Sequence, residues 1–238
     1  MTNRTHQSDP TPDTEPQTLK LSGVAFQWDS SKAPLRYPDV TLQAGSHLFL
    51  QGPSGSGKST LMSLLGGLIT PSEGRLEVLG TSLASLSSGQ RDRFRADHIG
   101  VIFQQFNLVP YLSPMDNVRL PCRLSRKRLQ RAKPDATTEA RSLLTALGIP
   151  EDSWHRSVLQ LSVGQQQRVA AARALIGGPE LILADEPTSA LDTNNRDRFI
   201  ALLLELAAKQ RCSVVFVSHD QSLANQFDQQ LHLQESTR

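Results

Sequence analysis

The chain has 238 residues, 38% hydrophobic and 20% charged, enough to bury one domain-sized core or a core plus a subdomain. Its formal net charge of +2, with no Lys/Arg stretch alternating with stacking aromatics, argues against nucleic acid as a partner. Cys122 and Cys212 form no CxxC arrangement, which fits a reducing cytoplasm and gives no support for a disulfide frame or a zinc site.

No window approaches the roughly 18 to 20 apolar residues that cross a bilayer, and the N-terminus has no basic-then-apolar leader, so the chain is expected neither to span a membrane nor to be secreted. Residues 1–18 are rich in Thr, Asp, Gln and Pro with little to bury, which predicts a flexible tail ahead of a folded region over 19–238. Leu48-Phe49-Leu50 predicts a strand over His47–Gln51. The strand runs into Gly52-Pro53-Ser54-Gly55-Ser56-Gly57-Lys58-Ser59, the pattern G-x-x-x-x-G-K-S, and a helix is predicted from about Lys58. Glycines let the backbone wrap close enough for N–H groups to point at phosphate oxygens, and a helix start adds positive dipole there. Lys58 would then pair with β- and γ-phosphates, Ser59 would place its hydroxyl on Mg²⁺, and Thr60 would reach the α-phosphate. The alternative is a chance glycine turn, a pattern expected by luck in about one per cent of chains this long.

Leu61, Leu64, Leu65 and Leu68 recur at i, i+3, i+4 and i+7, which predicts one core-facing stripe on that helix. Val101-Ile102-Phe103 predicts a further strand. From about 105 to 160 the strand signals fade and Arg- and Ala-rich helical stretches take over, ending near Trp154, as in a helical insertion or subdomain. Its basic run, Arg123, Arg126, Lys127, Arg128, Arg131 and Lys133, reads as a solvated helix face or as contact with anionic lipid heads.

Ser162 and Gln165 are spaced as a capping box, and Gly177-Gly178-Pro179 stops the helix that they open. A well-capped helix explains this much, though not why its start should be a small, hydrogen-bonding Ser-x-Gly that leaves amides open to an anion. Leu181-Ile182-Leu183-Ala184 then leads into Asp185-Glu186-Pro187, two carboxylates at the C-terminal end of a buried strand, the edge where ligands bind in open α/β sheets. Unpaired buried carboxylates are costly, and a metal ion with a water relieves that cost. Asp185 is thus read as the Mg²⁺ partner, and Glu186 as the base that polarises the attacking water. Phe199, Leu202, Leu203 and Leu206 make another helical stripe, and Val214-Val215-Phe216-Val217 another strand. The alternation of strands and helices predicts an α/β fold with a mainly parallel sheet.

The phosphate loop, the Leu161-Ser162-Val163-Gly164-Gln165 stretch and Asp185-Glu186-Pro187-Thr188, in this order, resemble the ATP-binding cassette (ABC) ATPase family over roughly residues 19–235. The resemblance implies an α/β P-loop NTPase cassette with a mainly parallel core sheet, an antiparallel β subdomain and a helical subdomain at about 105–160. It implies ATP and Mg²⁺ as ligands, with the phosphates held by Gly52, Pro53, Ser54, Gly55, Ser56, Gly57, Lys58, Ser59 and Thr60. Gln104 resembles the glutamine that senses Mg²⁺ and the attacking water, and His219 the switch histidine that contacts the γ-phosphate. Ser189-Ala190-Leu191-Asp192 resembles the D-loop, and Trp28 stands where the family places an aromatic ring against adenine. The alternatives are a surface amide for Gln104, a loop histidine for His219 and a core or interface ring for Trp28. The family also uses Ser162, Gly164 and Gln165 to complete the site of a second copy, so that ATP is held in a head-to-tail homodimer.

Ile99 to Pro110, followed by Asp116-Asn117-Val118 and Leu120-Pro121, resembles the lipoprotein-releasing, macrolide-exporter and cell-division branch, which works with FtsX/MacB-like membrane permeases. Ser189-Ala190 departs from the Gly-Asn usual in that branch and matches many importers, which leaves subgroup and cargo open, whereas Val163 replaces a usual glycine at a position where only backbone is expected to matter. With 19 residues after His219, the extra regulatory domain of some importer ATPases is not expected. The resemblance implies an ATPase peripheral on the cytoplasmic face of the cell membrane, driving export, lipoprotein extraction or mechanotransmission. ATP-gated regulation of a periplasmic complex and import are the alternatives.

Overall fold

The computed structural model describes residues 16–29, 31, 33–189 and 191–234. The tail expected over residues 1–18 lies outside the described residues up to 15. The first strand, β1 (Gln17–Phe26), already starts at Gln17, because the buried Thr18 hydroxyl pairs with Ser213 Oγ at 2.9 Å. In chain order there follow β2 (Leu35–Arg36), β3 (Val40–Gln43), β4 (His47–Gln51), α1 (Lys58–Leu65), β5 (Glu73–Val78), β6 (Thr81–Ser82), α2 (Ser88–His98) and β7 (Ile99–Ile102). The helical insertion holds α3 (Pro114–Leu124), α4 (Arg126–Arg131) and α5 (Ala136–Ala146). The chain continues through α6 (Val163–Leu175), β8 (Leu181–Asp185), α7 (Thr193–Lys209), β9 (Ser213–Val217) and β10 (Gln229–His232).

Two sheets result. The core sheet has order β10-β4-β9-β8-β7, with every pairing parallel, and the second is antiparallel, β2-β1-β5-β6, with β3 also on β1. Both faces of a parallel sheet are buried, so its strands read as continuous apolar runs whose residues alternate between two cores. Leu48, Leu50, Leu183, Val215 and Val217 face the antiparallel sheet and α1, whereas Phe49, Ile182, Val214 and Phe216 face the cluster built with α3, α5, α6 and α7. On this second face α6 presents Ala170, Ala171, Ala172 and Ala174, all buried, which lets its backbone approach the sheet closely. A Cβ on Gly100 in β7 would stand 2.4 Å from the Ala174 carbonyl oxygen, so glycine is required there by contact.

Two expectations need correction. Leu61, Leu64 and Leu65 are buried, but Leu68 is 60% exposed. The helix ends at Leu65 with Gly66 as its cap, and Gly67 at φ 65° turns the chain out of helical phase before Leu68 is reached. The basic run is not simply a solvated face either. Arg128 is 2% exposed, its Nε donating to Ile176 O at 2.8 Å and its Nη2 to Ala174 O at 2.6 Å, so a cation caps the C-terminal end of α6. Burial brings its pKa down to about 10. Both cysteines are buried free thiols.

Arg131 of the same run reaches Glu180, which leads into β8, at 2.9 Å, and His98 Nδ1 lies 3.0 Å from the same carboxylate. Burial alone would raise the Glu180 pKa, but His98 and Arg131 overcome it and hold the carboxyl down at about 2, against an ordinary 4.5. The folded value lies below the unfolded one, so the stabilisation is complete above the unfolded pKa and is lost as pH falls through the folded one. The difference in urea midpoint between wild type and Glu180→Gln should therefore shrink as pH drops from 4.5 towards 2. A difference that stays constant across that window would count against the ion cluster.

Candidate functional site

The loops at the C-terminal ends of β4, β8 and β9 converge, as expected for an open parallel sheet. From β4 comes the glycine loop. Gly55 (φ 80°) and Gly57 (φ 91°) adopt left-handed backbone that glycine enters without steric cost, and Gly57 is the N-cap of α1. A Cβ on Gly52 would meet Ser56 Oγ at 2.6 Å and the Leu233 carbonyl at 2.7 Å, so the loop closes on backbone. The Lys58 side chain is folded over it, Nζ donating to Gly52 O and Pro53 O at 2.8 Å each. Desolvation lowers the Lys58 pKa, while Glu186 and Asp185 push the other way.

From β8 come Asp185, at the strand end, and Glu186, whose φ of 44° is rare outside glycine. The Glu186 amide donates to Val217 O at 3.1 Å, and its Oε1 lies 2.6 Å from Nε2 of His219, which follows β9. The structure thus joins two residues that are 33 positions apart in sequence, 219 minus 186. Burial raises the Asp185 pKa, Glu186 raises it further and Lys58 opposes both.

A cavity of about 450 Å³ lies beside them, lined by Ser54, Gly55, Lys58, Ser59, Thr60, Glu186 and His219 together with Trp28, Phe26, Ala33 and Leu35. Trp28 is 67% exposed and rests edge-on against Phe26, with ring centroids 4.9 Å apart, which leaves an open π face. The donors suit a magnesium nucleotide. Ser56 Oγ is buried without a partner, and the two loop carbonyls take up two of the three donors of Lys58. Among the described residues no group of three or more His, Cys, Asp or Glu side chains is placed to hold a metal. A magnesium ion that shares one carboxylate, a hydroxyl and substrate phosphates needs no such cage. Asp185 does not line that cavity but borders a neighbouring cleft, which Ser59 lines as well.

Tyr37 has no motif around it and was missed by sequence reasoning. Its hydroxyl donates to Gly57 O at 3.2 Å, and burial pushes its pKa up to about 12, so it stays a donor that fixes the loop where α1 begins. Other expected residues do not gather at this cavity. Gln104 stands exposed just past β7 and does not line it. Ser162 and Gly164 border a separate hollow of about 360 Å³ with Arg168, Leu191 and Arg198. Ser162 and Gln165 form the reciprocal capping box of α6, and Asp192 caps α7 by accepting from the Asn195 amide at 3.0 Å. Ala190 of the D-loop stretch lies outside the described residues.

The family model for ABC transporters matches residues 35–189. Over 221 residues the chain is 41% identical to the lipoprotein-releasing system ATP-binding protein LolD of Anaeromyxobacter dehalogenans, covering 91% of this chain and 90% of that protein. It is also 41% identical over 210 residues to the macrolide export ATP-binding/permease protein MacB of Rhodopseudomonas palustris, covering 87% of this chain but 31% of the relative. The chain thus spans about a third of the length of such macrolide-export relatives. Among solved structures, a bacterial ABC transporter cassette determined as a dimer superposes with a TM-score of 0.78 at 34% identity, covering 91% of this chain and 94% of the other. A dimeric post-hydrolysis cassette bound to ADP and Pi gives 0.76 at 33% identity, with the same coverage.

Proposed function

The chain belongs to the ABC transporter family, in the branch that includes the lipoprotein-releasing and macrolide-export ATPases, and from that premise we propose that it hydrolyses ATP to drive a separate membrane permease. The observation that carries this reading is the Glu186 carboxylate held 2.6 Å from His219 at the rim of a cavity that also contains Lys58 and the glycine loop. In the proposed reaction Lys58 and the loop amides bind the phosphates, and Trp28 stacks on the adenine. Glu186 accepts a proton from the attacking water, and His219 orients that carboxylate and contacts the γ-phosphate. Ser59 and Asp185 would hold the magnesium ion, which when bound offsets the negative charge on the β- and γ-phosphates.

Ser162, Gly164 and Gln165 lie away from this cavity, which supports giving them to the site of a second copy, where the N-terminus of α6 would face the γ-phosphate with Asp192 nearby. Gln104 would sense the magnesium ion and the attacking water from the loop that follows β7. A cleft of about 550 Å³ between core and insertion exposes Leu68, Phe103 and Leu124, the last at 71%, in a mostly apolar lining. Exposed apolar surface of this kind marks a docking site, and we assign it to a cytoplasmic segment of the permease. The similarity to LolD, a relative named as an ATP-binding protein, supports a permease on another chain. The protein would then be peripheral on the cytoplasmic face of the membrane. Among the described residues no helix is long and apolar enough to cross it.

The test is reconstitution with a candidate permease of this branch in vesicles. ATP turnover should rise on adding the permease, and Leu124→Asp should remove that rise while leaving basal turnover intact. Stimulation that is unchanged in Leu124→Asp would overturn the docking assignment. ATP-linked activation of a partner without cargo movement would identify a regulator instead of a transporter.

A further inference from the structure

Arg173 lies in the last turn of α6, and its guanidinium is largely desolvated, which lowers its pKa. Among the described residues it pairs with no carboxylate. Nη2 donates to Phe106 O and Nη1 to Asn107 O, each at 2.6 Å. Phe106 (φ 58°) and Asn107 (φ 46°) are both left-handed, a conformation that is costly for an L residue and above all for a bulky one. The Phe106 amide donates to Phe103 O at 2.9 Å and the Asn107 amide to Gln105 O at 2.6 Å, so the chain doubles back directly behind Gln104.

Both sides of this kink are anchored. Upstream, β7 is paired with β8 as far as Ile102. Downstream, Asn117 of α3, fully buried, accepts from the Val109 amide at 2.8 Å and donates to Val109 O, Leu112 O and Ser113 O. Among the described residues, Arg173 is the only side chain hydrogen-bonded to residues 103–108. From Ser162 to Arg173 the helix is uninterrupted, a rod of about 16 Å.

We propose that Arg173 is a positioning residue that ties the Gln104 loop to α6, so that a displacement of the Ser162 end of the helix is carried to Gln104. A guanidinium suits this work, since its rigid fork spans two carbonyls that a single ammonium cannot hold in fixed geometry. The strained backbone is the part that responds. Without the fork, Phe106 and Asn107 have reason to leave the left-handed region, and Gln104 loses its fixed origin. The link to hydrolysis rests on the ATPase reading above, whereas the tie itself does not.

The experiment compares wild type, Arg173→Gln and Arg173→Lys. In the nucleotide-free chain, amide hydrogen exchange at Phe106 and Asn107 should speed up about tenfold in Arg173→Gln, with the Asn117-bound Val109 amide unchanged. Arg173→Lys should lie between, and it decides the matter if the glutamine variant does not fold. In ATP turnover, Arg173→Gln should lower kcat about tenfold with KM little changed, and adding Gln104→Ala should cost no more than Gln104→Ala alone. Unchanged exchange at Phe106 and Asn107 overturns the tie, and additive losses overturn its route through Gln104. A wild type that does not hydrolyse ATP overturns the functional reading instead, with the exchange result still deciding the tie.

Discussion

Glu186→Gln is expected to cut ATP turnover by about 10² to 10⁴-fold while ATP still binds. The amide has the shape of the carboxylate, and its oxygen can still accept a hydrogen bond from His219 Nε2, now 2.6 Å from Glu186 Oε1, so the geometry at the end of β8 is preserved. What is lost is the capacity to take a proton from water. Since Glu186 holds its left-handed backbone through the Val217 carbonyl, the replacement should leave thermal stability close to wild type. With the base gone, ATP should persist between two copies, and the variant should run as a dimer with ATP and as a monomer without it. Turnover at the wild-type rate would sink the assignment of Glu186 as base.

Lys58→Ala should remove ATP binding itself, lowering affinity on the order of a hundredfold, about 3 kcal/mol. The Lys58 ammonium is buried beside the loop and is held there by two carbonyls, with no carboxylate bonded to it. A desolvated cation in that position is held ready for phosphate. Its removal leaves the phosphate charges to the loop amides and the dipole of an eight-residue helix. Stability should change little, because the ammonium is itself desolvated at a cost that its removal relieves. Isothermal titration with ATP reads the effect, and an affinity within threefold of wild type would show that the loop holds phosphates without Lys58.

The glycine loop, the Ser162–Gln165 capping box and the Asp185-Glu186 pair were legible because each is a run of neighbouring residues with local geometry. The core strands were legible for a related reason: buried on both faces, they leave unbroken apolar runs such as Val214 to Val217. Leu68 was misjudged because periodicity alone does not see that Gly66 and Gly67 end the helix before it. The basic run was misjudged because charge gives no hint of an acceptor on another element, and the carbonyls that bury Arg128 belong to the far end of α6.

Residue order by itself determined the parallel core, the phosphate loop, the acidic strand end and the family to which they belong. Only the tertiary structure decided that Glu186 meets His219, that Tyr37 fixes Gly57 across 20 positions, and that Arg173 grips Phe106 across 67. The physical reason is one of range. Loop glycines, caps and strand runs follow from backbone rules that act over a few residues, and these leave a pattern in the sequence. A side chain that bonds to a distant carbonyl leaves none, because every residue offers the same carbonyl and only the folded chain selects which one comes within reach.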